Sequence, residues 1–379
     1  MIKNKKVLMV KNGIFKDGGV ETFIKNLYPF LLKEGYKIDF LVFDNSDNIS
    51  KQNIDYFKDF GSSFYYIPLK SSGILNYFIS MFKFLKKNNY DIIHDHSGIG
   101  SLTNLILFKL FTKSKYIVHS HGSSLQIKNL NLIKKKLLKN YYSFSKSIIS
   151  NFSDKRLACS WSAGNYAFND NFTVLYNATN IDKFQFNEND RITLRSELNI
   201  KEKDFVFLFI ARFDKNKNQI FFVEVFNRLK KSNSEYNYKL IFIGDGEQKV
   251  IIKNRLKELG LVDEVIFISS TKMIHKFYSA SDLLVLTSHS EGFPLVLIES
   301  QANGLNSLVS KNITNEVNIN GNVQFLPLDN INLWVNTIKM DTKINGDSRK
   351  QISKNIIQFD SSEVSQKLNY IYSRLGKDD

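Results

Sequence analysis

The chain has 379 residues, 43% of them apolar, enough for two cores of ordinary size. Its one cysteine, Cys159, excludes an internal disulfide. No apolar run is long enough to span a membrane, and the short one after the basic amino terminus is closed by Lys11, so a cytoplasmic protein is expected. The net charge of +15 is unevenly placed: 25 Lys and Arg stand against 12 Asp and Glu through residue 170, and 27 against 25 beyond it. A basic half joined to a near-neutral half suggests that the first meets an anionic surface, membrane or nucleic acid.

In chain order, Val7–Val10 predicts a first strand. A glycine-bearing loop ending in Gly18-Gly19 follows, and residues 20–33 then carry helical spacing, with Pro29 as a candidate kink. Strand, Gly-Gly loop and helix allow a phosphate to approach the backbone, although neither GxGxxG nor a Walker Lys-Ser pair is present. Further strands are predicted at 38–43, 64–67, 92–94, 116–119, 156–159 and 174–176, alternating with helical patterns. That alternation implies a parallel sheet with helices on both faces.

Two His-x-His pairs, His94/His96 and His119/His121, end two of these strands. Residues i and i+2 share one face of a strand, so each pair can converge on one ligand. The pairs fit either a zinc site or crevice histidines that hydrogen-bond substrate or backbone. The other two histidines, His275 and His289, are far off in the second half, and no metal is expected. Between residues 127 and 152 the chain is dense in Lys, Leu, Ile and aromatics. Lys134, Lys135, Lys136 and Lys139 give it the makeup of a basic amphipathic helix, suited to an anionic membrane or to a solvated face.

A polar stretch from Asn177 to Lys203 separates this half from a second α/β run, which divides the chain into residues 1–180 and 181–379. Strands are predicted near 205–210, 239–243, 265–268, 283–286, 307–309 and 323–325. A final amphipathic helix over 361–375 is a candidate to pack back on the first half. The loops after these strands carry Arg212 and Lys217, Gly244-Asp245-Gly246-Glu247, Lys272-Met273, and Ser290-Glu291-Gly292-Phe293-Pro294. All lie at strand carboxyl ends, where open α/β sheets bind ligands. Arg212 and Lys217 can neutralise a diphosphate, or form structural salt bridges. Glu291 falls in a loop and Glu299 about a turn and a half into the next helix, for which Pro294 is a good first residue. Helix-start amides flanked by carboxylates that grip hydroxyls suit a nucleotide sugar; an ordinary turn with two solvated glutamates is the alternative.

Gly18-Gly19-Val20-Glu21, Arg212 with Lys217, Gly244-Asp245-Gly246-Glu247 and Glu291…Glu299, in that order on a twin α/β chain, resemble glycosyltransferase family 4. The nearest likeness is to bacterial capsular and exopolysaccharide enzymes, and it runs from about Val7 to about Phe325. The resemblance implies a GT-B fold of two Rossmann-like, doubly wound domains facing across a cleft. It also implies retaining, metal-independent transfer, with the nucleotide-diphosphate sugar (UDP-linked) as co-substrate and no cofactor. The first domain would take a glycan or lipid-linked glycan acceptor and the second the donor.

By the same resemblance, Arg212 and Lys217 bind the diphosphate. Glu291 grips the donor sugar beside the Gly292, Phe293 and Pro294 backbone, and Glu299 holds the ribose. Gly244, Lys272 and Met273 line the donor side. His121 contacts the donor sugar, Gly19 approaches both the diphosphate and the acceptor, and Gly18 and Asn177 serve the acceptor side. One departure is Tyr176-Asn177-Ala178 where the family often has Pro-Asn-Gly, because Ala adopts a left-handed backbone less cheaply than Gly. Rival readings are a nucleotide-sugar epimerase or hydrolase, a His-x-His metallohydrolase, and a non-catalytic basic membrane-binding protein. Nucleic acid is not expected, since no RNA-recognition motif occurs.

Overall fold

The structure is a computed structural model and describes residues 4–12, 18–43, 51–122, 131–169, 171–232, 236–269, 271–341, 349 and 354–375. The chain divides into two compact units, Met1–Ala178 with Ser361–Asp379, and Thr179–Asp360. The expected region 181–379 thus loses its last helix, which belongs to the first unit.

The first unit alternates β1 (Lys6–Asn12), α1 (Gly19–Lys33), β2 (Lys37–Phe43), α2 (Lys51–Asp59), β3 (Phe64–Ile67), α3 (Ile74–Lys87), β4 (Ile92–Asp95), α4 (Leu102–Phe111), β5 (Lys115–Ser120), α5 (Leu132–Phe152), β6 (Lys155–Ala158), α6 (Trp161–Ala167) and β7 (Thr173–Val174). The second contains α7 (Glu188–Glu197), β8 (Asp204–Ile210), α8 (Gln219–Lys231), β9 (Asn237–Ile243), α9 (Lys249–Glu258), β10 (Val265–Ile268), α10 (Ile274–Ala280), β11 (Leu283–Leu286), α11 (Leu295–Asn303), β12 (Ser307–Ser310), β13 (Val323–Leu326) and α12 (Ile331–Asp341). The helix α13 (Ser361–Arg374) completes the first unit.

Both sheets are parallel throughout, in the orders β3-β2-β1-β4-β5-β6-β7 and β10-β9-β8-β11-β12-β13. The central strands are continuous apolar runs because helices cover both faces. All seven residues of β8 and all four of β11 are buried, whereas edge strands such as β3 and β10 are only partly so. In each sheet the order reverses between two neighbours, β1 and β4, then β8 and β11. Ligands bind outside the carboxyl ends of strands at such switch points.

Right-handed crossovers put α1 and α2 on one face of the first sheet and α3, α4 and α5 on the other. α13 packs on α1, where Val364, Leu368 and Tyr372 join Phe23, Ile24 and Leu27 in one buried cluster.

Candidate active site

In the first unit the pairing of β1, β4 and β5 sets the site. Met9 lies opposite His94, and His94 opposite Ile117. The two-residue repeat then turns His94, His96, His119 and His121 toward α1 and α13. The rings form a ladder. His94 Nε2 lies 3.2 Å from His119 Nδ1, and His96 Nδ1 lies 3.0 Å from His121 Nε2. His94 Nδ1 meets the Tyr372 hydroxyl at 2.6 Å, and Phe23 packs edge-on against His119 at 5.3 Å.

Burial first, then neighbouring positive charge, holds His94 and His121 down to about 3, with Lys11 acting on His121. His96 and His119 are also pushed well below the usual imidazole range, mainly by burial. All four rings are therefore neutral at pH 7. His94, His96 and His119 are buried, and His121 is half-buried. The ring nitrogens of the three buried rings lie within 4.8 Å of one another, close enough to hold a metal ion. One ring-to-ring hydrogen bond joins two of the three, His94 and His119, and no carboxylate stands among the three to offset an ion's charge.

Gly18 and Gly19 start α1 beside this ladder. A Cβ on Gly18 would lie 1.9 Å from Glu21 Oε2, where the carboxylate turns in to pair with Lys11. Gly19 is exposed, and a Cβ there would meet nothing within 4 Å among the described residues. Asn177 lies beside His121 and opposes the fall of its pKa. The departure at Ala178 costs nothing here: its backbone is not left-handed, its side chain is buried, and its carbonyl accepts from Asn26 Nδ2 at 2.8 Å.

The second unit builds its site from three loops. Gly244 and Gly246 have φ of +139° and +149°, and a Cβ on either would lie 2.1 or 2.3 Å from the carbonyl oxygen of Ala211 or Phe213. Only glycine fits. This close approach lets Phe213 N–H donate to Asp245 O at 2.9 Å and Gln248 N–H to Phe213 O at 3.0 Å, so the backbone on both sides of Arg212 is fixed.

Asn218, left-handed at φ 53°, turns the chain into α8. The Thr287 hydroxyl donates to the carbonyls of Lys217 at 3.2 Å and Asn218 at 2.9 Å, and Asn216 Nδ2 donates to Ser290 O at 2.8 Å. The loops after β8 and β11 are thereby joined, and Lys217 Nζ meets Glu291 Oε1 at 2.5 Å. Arg212, 54% exposed, pairs with Asp214 at 2.8 Å. The salt-bridge alternative is realised for both cations, at the switch point itself.

Pro294 is the N-cap of α11 rather than its first residue, and its own side chain makes no capping hydrogen bond. The Phe293 side chain is buried and stacks on Phe359 at 5.5 Å, so it cannot shape a pocket; only its backbone, with that of Gly292, lies in the loop. Glu299 is buried, accepting from Tyr278 Oη at 2.6 Å and Thr179 Oγ1 at 3.4 Å, and burial raises its pKa. Lys272 and Met273 are exposed in the turn before α10.

Residues beyond the sequence expectation are Asp214, Asn216, Asn218, Tyr278 and Thr287. Tyr278 carried no signal, because only the fold brings it to Glu299.

Residues 190–358 match the family described as "Glycosyl transferases group 1", and residues 17–183 the one described as "Glycosyltransferase Family 4". The chain is 26% identical over 364 residues to the putative glycosyltransferase EpsF of Bacillus subtilis, covering 93% of this chain and 92% of that one. It is 26% identical to the Staphylococcus aureus capsular polysaccharide biosynthesis glycosyltransferase CapH, covering 84% and 86%. Against the Escherichia coli UDP-Gal:alpha-D-GlcNAc-diphosphoundecaprenol alpha-1,3-galactosyltransferase it is 28% identical, covering 64% and 62%. Among solved structures, Anabaena HepE in complex with UDP and glucose superposes with a TM-score of 0.78 at 16% identity, over 98% of this chain and 100% of that one. With two doubly wound parallel sheets of the GT-B class and these matches across both units, the chain belongs to glycosyltransferase family 4, and a bacterial capsular polysaccharide glycosyltransferase is among its relatives.

Proposed function

We propose that this glycosyltransferase is a retaining, metal-independent hexosyltransferase that moves a sugar from a UDP-linked donor to a lipid-linked glycan. The observation that carries this reading is the second switch point, where Arg212 and the Lys217–Glu291 pair stand in the loops that lead to the start of α11. Two cations and helix-start amides suit a diphosphate. When it arrives, Lys217 exchanges Glu291 for phosphate oxygen, and Glu291 is released to the hydroxyls of the sugar.

In the reaction the bond from C1 to the diphosphate oxygen breaks. The acceptor hydroxyl oxygen bonds to C1 on the same face, and its proton passes to the departing phosphate. Charge building on the leaving diphosphate is stabilised electrostatically by Arg212, Lys217 and the amides. The first unit offers the sugar neutral donors and acceptors, His121 foremost, and an exposed backbone at Gly19. Glu299 takes the ribose by yielding one of its present partners. The lysines of α5 draw the protein to the anionic inner face of the cell membrane. The lipid-linked acceptor named for the Escherichia coli relative and the UDP bound by Anabaena HepE support this assignment of substrates.

The test is a panel of nucleotide sugars with an undecaprenyl-diphosphate-linked acceptor, read by mass and by anomeric NMR of the product. The expected product is a lengthened glycan with the donor's anomeric configuration. Free sugar or an epimerised donor, with no transfer, would give the reading to the hydrolase or epimerase alternative.

A further inference from the structure

The two faces of the first sheet are covered by helices of different character. α1, α2 and α13 each carry at least one acidic residue, Glu21, Asp55 and Glu363 among them. α3, α4 and α5, of 14, 10 and 21 residues, carry no Asp or Glu and three, one and five lysines. Each also turns a row of large apolar side chains outward. On α3 the row contains Leu75, Ile79 and Phe82; on α4, Ile106 and Leu110; on α5, Ile133, Leu137, Tyr141 and Phe144. The spacing of three or four residues puts each row on one side of its helix.

Leu75, Leu110 and Ile133 are 74, 70 and 72% exposed, the exposure of residues that pack on nothing in this unit. The rows of α3 and α4 meet where Phe82 and Phe111 stack edge-to-face at 4.9 Å, and α4 in turn packs against α5. Exposed apolar surface on this scale, rimmed by one sign of charge, marks an interaction site.

We propose that the outer face of α3, α4 and α5 is a membrane-insertion platform that settles into the headgroup–acyl boundary of an anionic bilayer. Charge complementarity selects this occupant. The three helices offer lysines and no carboxylate, as anionic headgroups require, the nearby Asp154 being taken up by Lys109 and Lys115, and their apolar rows suit the acyl boundary. No helix among the described residues is long and apolar enough to cross a membrane, so the face lies on the bilayer. The proposal deepens the membrane part of the function above, and it differs from lysine attraction alone in one measurable respect. Charge attraction fades at high salt, whereas buried apolar surface does not.

The experiment is flotation of the full chain with vesicles of one part phosphatidylglycerol to three parts phosphatidylcholine, at low salt and at about 0.5 M salt, where screening is nearly complete. Two variants accompany it: Leu75→Glu with Leu110→Glu and Leu137→Glu, and Lys134→Gln with Lys136→Gln and Lys139→Gln. Melting temperature and transfer to a short soluble acceptor control for folding and catalysis. The wild type is expected to stay largely bound at high salt. The glutamate variant should lose binding at least tenfold at both salts with its melting temperature kept. The glutamine variant should lose mainly the low-salt gain.

Complete release of the wild type at high salt, or unchanged binding by the glutamate variant, would overturn the platform. So would a wild-type dimer, by sedimentation velocity, that the glutamate substitutions dissolve while vesicles go unbound; the face would then join two copies. If vesicle binding behaves as expected and no sugar is transferred to any acceptor, the functional reading fails and the platform stands.

Discussion

The two switch points solve opposite electrostatic problems with the same topology. At the first, four imidazoles converge, and burial holds all of them neutral. At the second, Arg212 with Asp214 and Lys217 with Glu291 form two ion pairs near the surface. Neutral, hydrogen-bonding walls suit sugar hydroxyls; exchangeable ion pairs suit a diphosphate that brings its own charge. The difference follows from position. The histidines extend buried strands, so desolvation dominates, whereas the charged residues sit in the loops beyond the strand ends.

The largest effect that sharpens this contrast is expected at His121. His121→Ala should lower kcat by about a hundredfold or more, the scale of a group that hydrogen-bonds the reacting centre. His119→Ala should instead lower the melting temperature, because it removes a buried ring from the ladder. Chelator should change neither; activity lost to chelator and restored by zinc would replace the neutral ladder with a metal site.

Next comes Arg212→Ala, which should cost about 1.5–3 kcal/mol in transition-state stabilisation through a lost bidentate charged contact, with Lys217→Ala costing less. Wild-type kcat/KM in either variant would remove that residue from the site. A smaller, split effect is expected for the carboxylates. Glu299→Ala should weaken nucleotide binding, and Glu291→Ala should slow turnover more than it weakens binding. Equal losses of UDP affinity in both would break the assignment.

Smallest at neutral pH, and growing only in acid, is the effect on stability. A histidine held at about 3 in the folded chain and near 6.5 in the unfolded one binds fewer protons folded between those values. Stability is therefore full above about pH 6.5 and falls as pH drops toward 3, by about 1.4 kcal/mol per unit for each such ring. A His94→Asn, His119→Asn double variant should show a shallower acid limb in thermal melts; an unchanged limb would mean that the ladder is not the titrating element.

Much of this was legible in the chain. All thirteen strands were expected within two residues of their observed ends, because continuous apolar runs bounded by Gly, Asn and Lys signal buried parallel strands. The candidate loops at 212–217, 244–247 and 291–294 also stood out, since glycine and proline punctuate them. What the sequence could not give was pairing. Lys217 and Glu291 lie 74 residues apart, and nothing in either stretch says that they meet. Nor does periodicity reveal that Tyr372 of α13 closes the histidine ladder, or that the Phe293 ring turns inward onto Phe359. Such contacts depend on how distant elements stack, and local pattern is blind to that.

The central claim is that the second unit holds the nucleotide diphosphate and the first does not. Calorimetry with free UDP on the wild type, Arg212→Ala and His121→Ala tests it most directly. The account predicts binding by the wild type, a loss of about tenfold or more in Arg212→Ala, and wild-type affinity in His121→Ala. Equal weakening in both variants, or loss confined to His121→Ala, would contradict it.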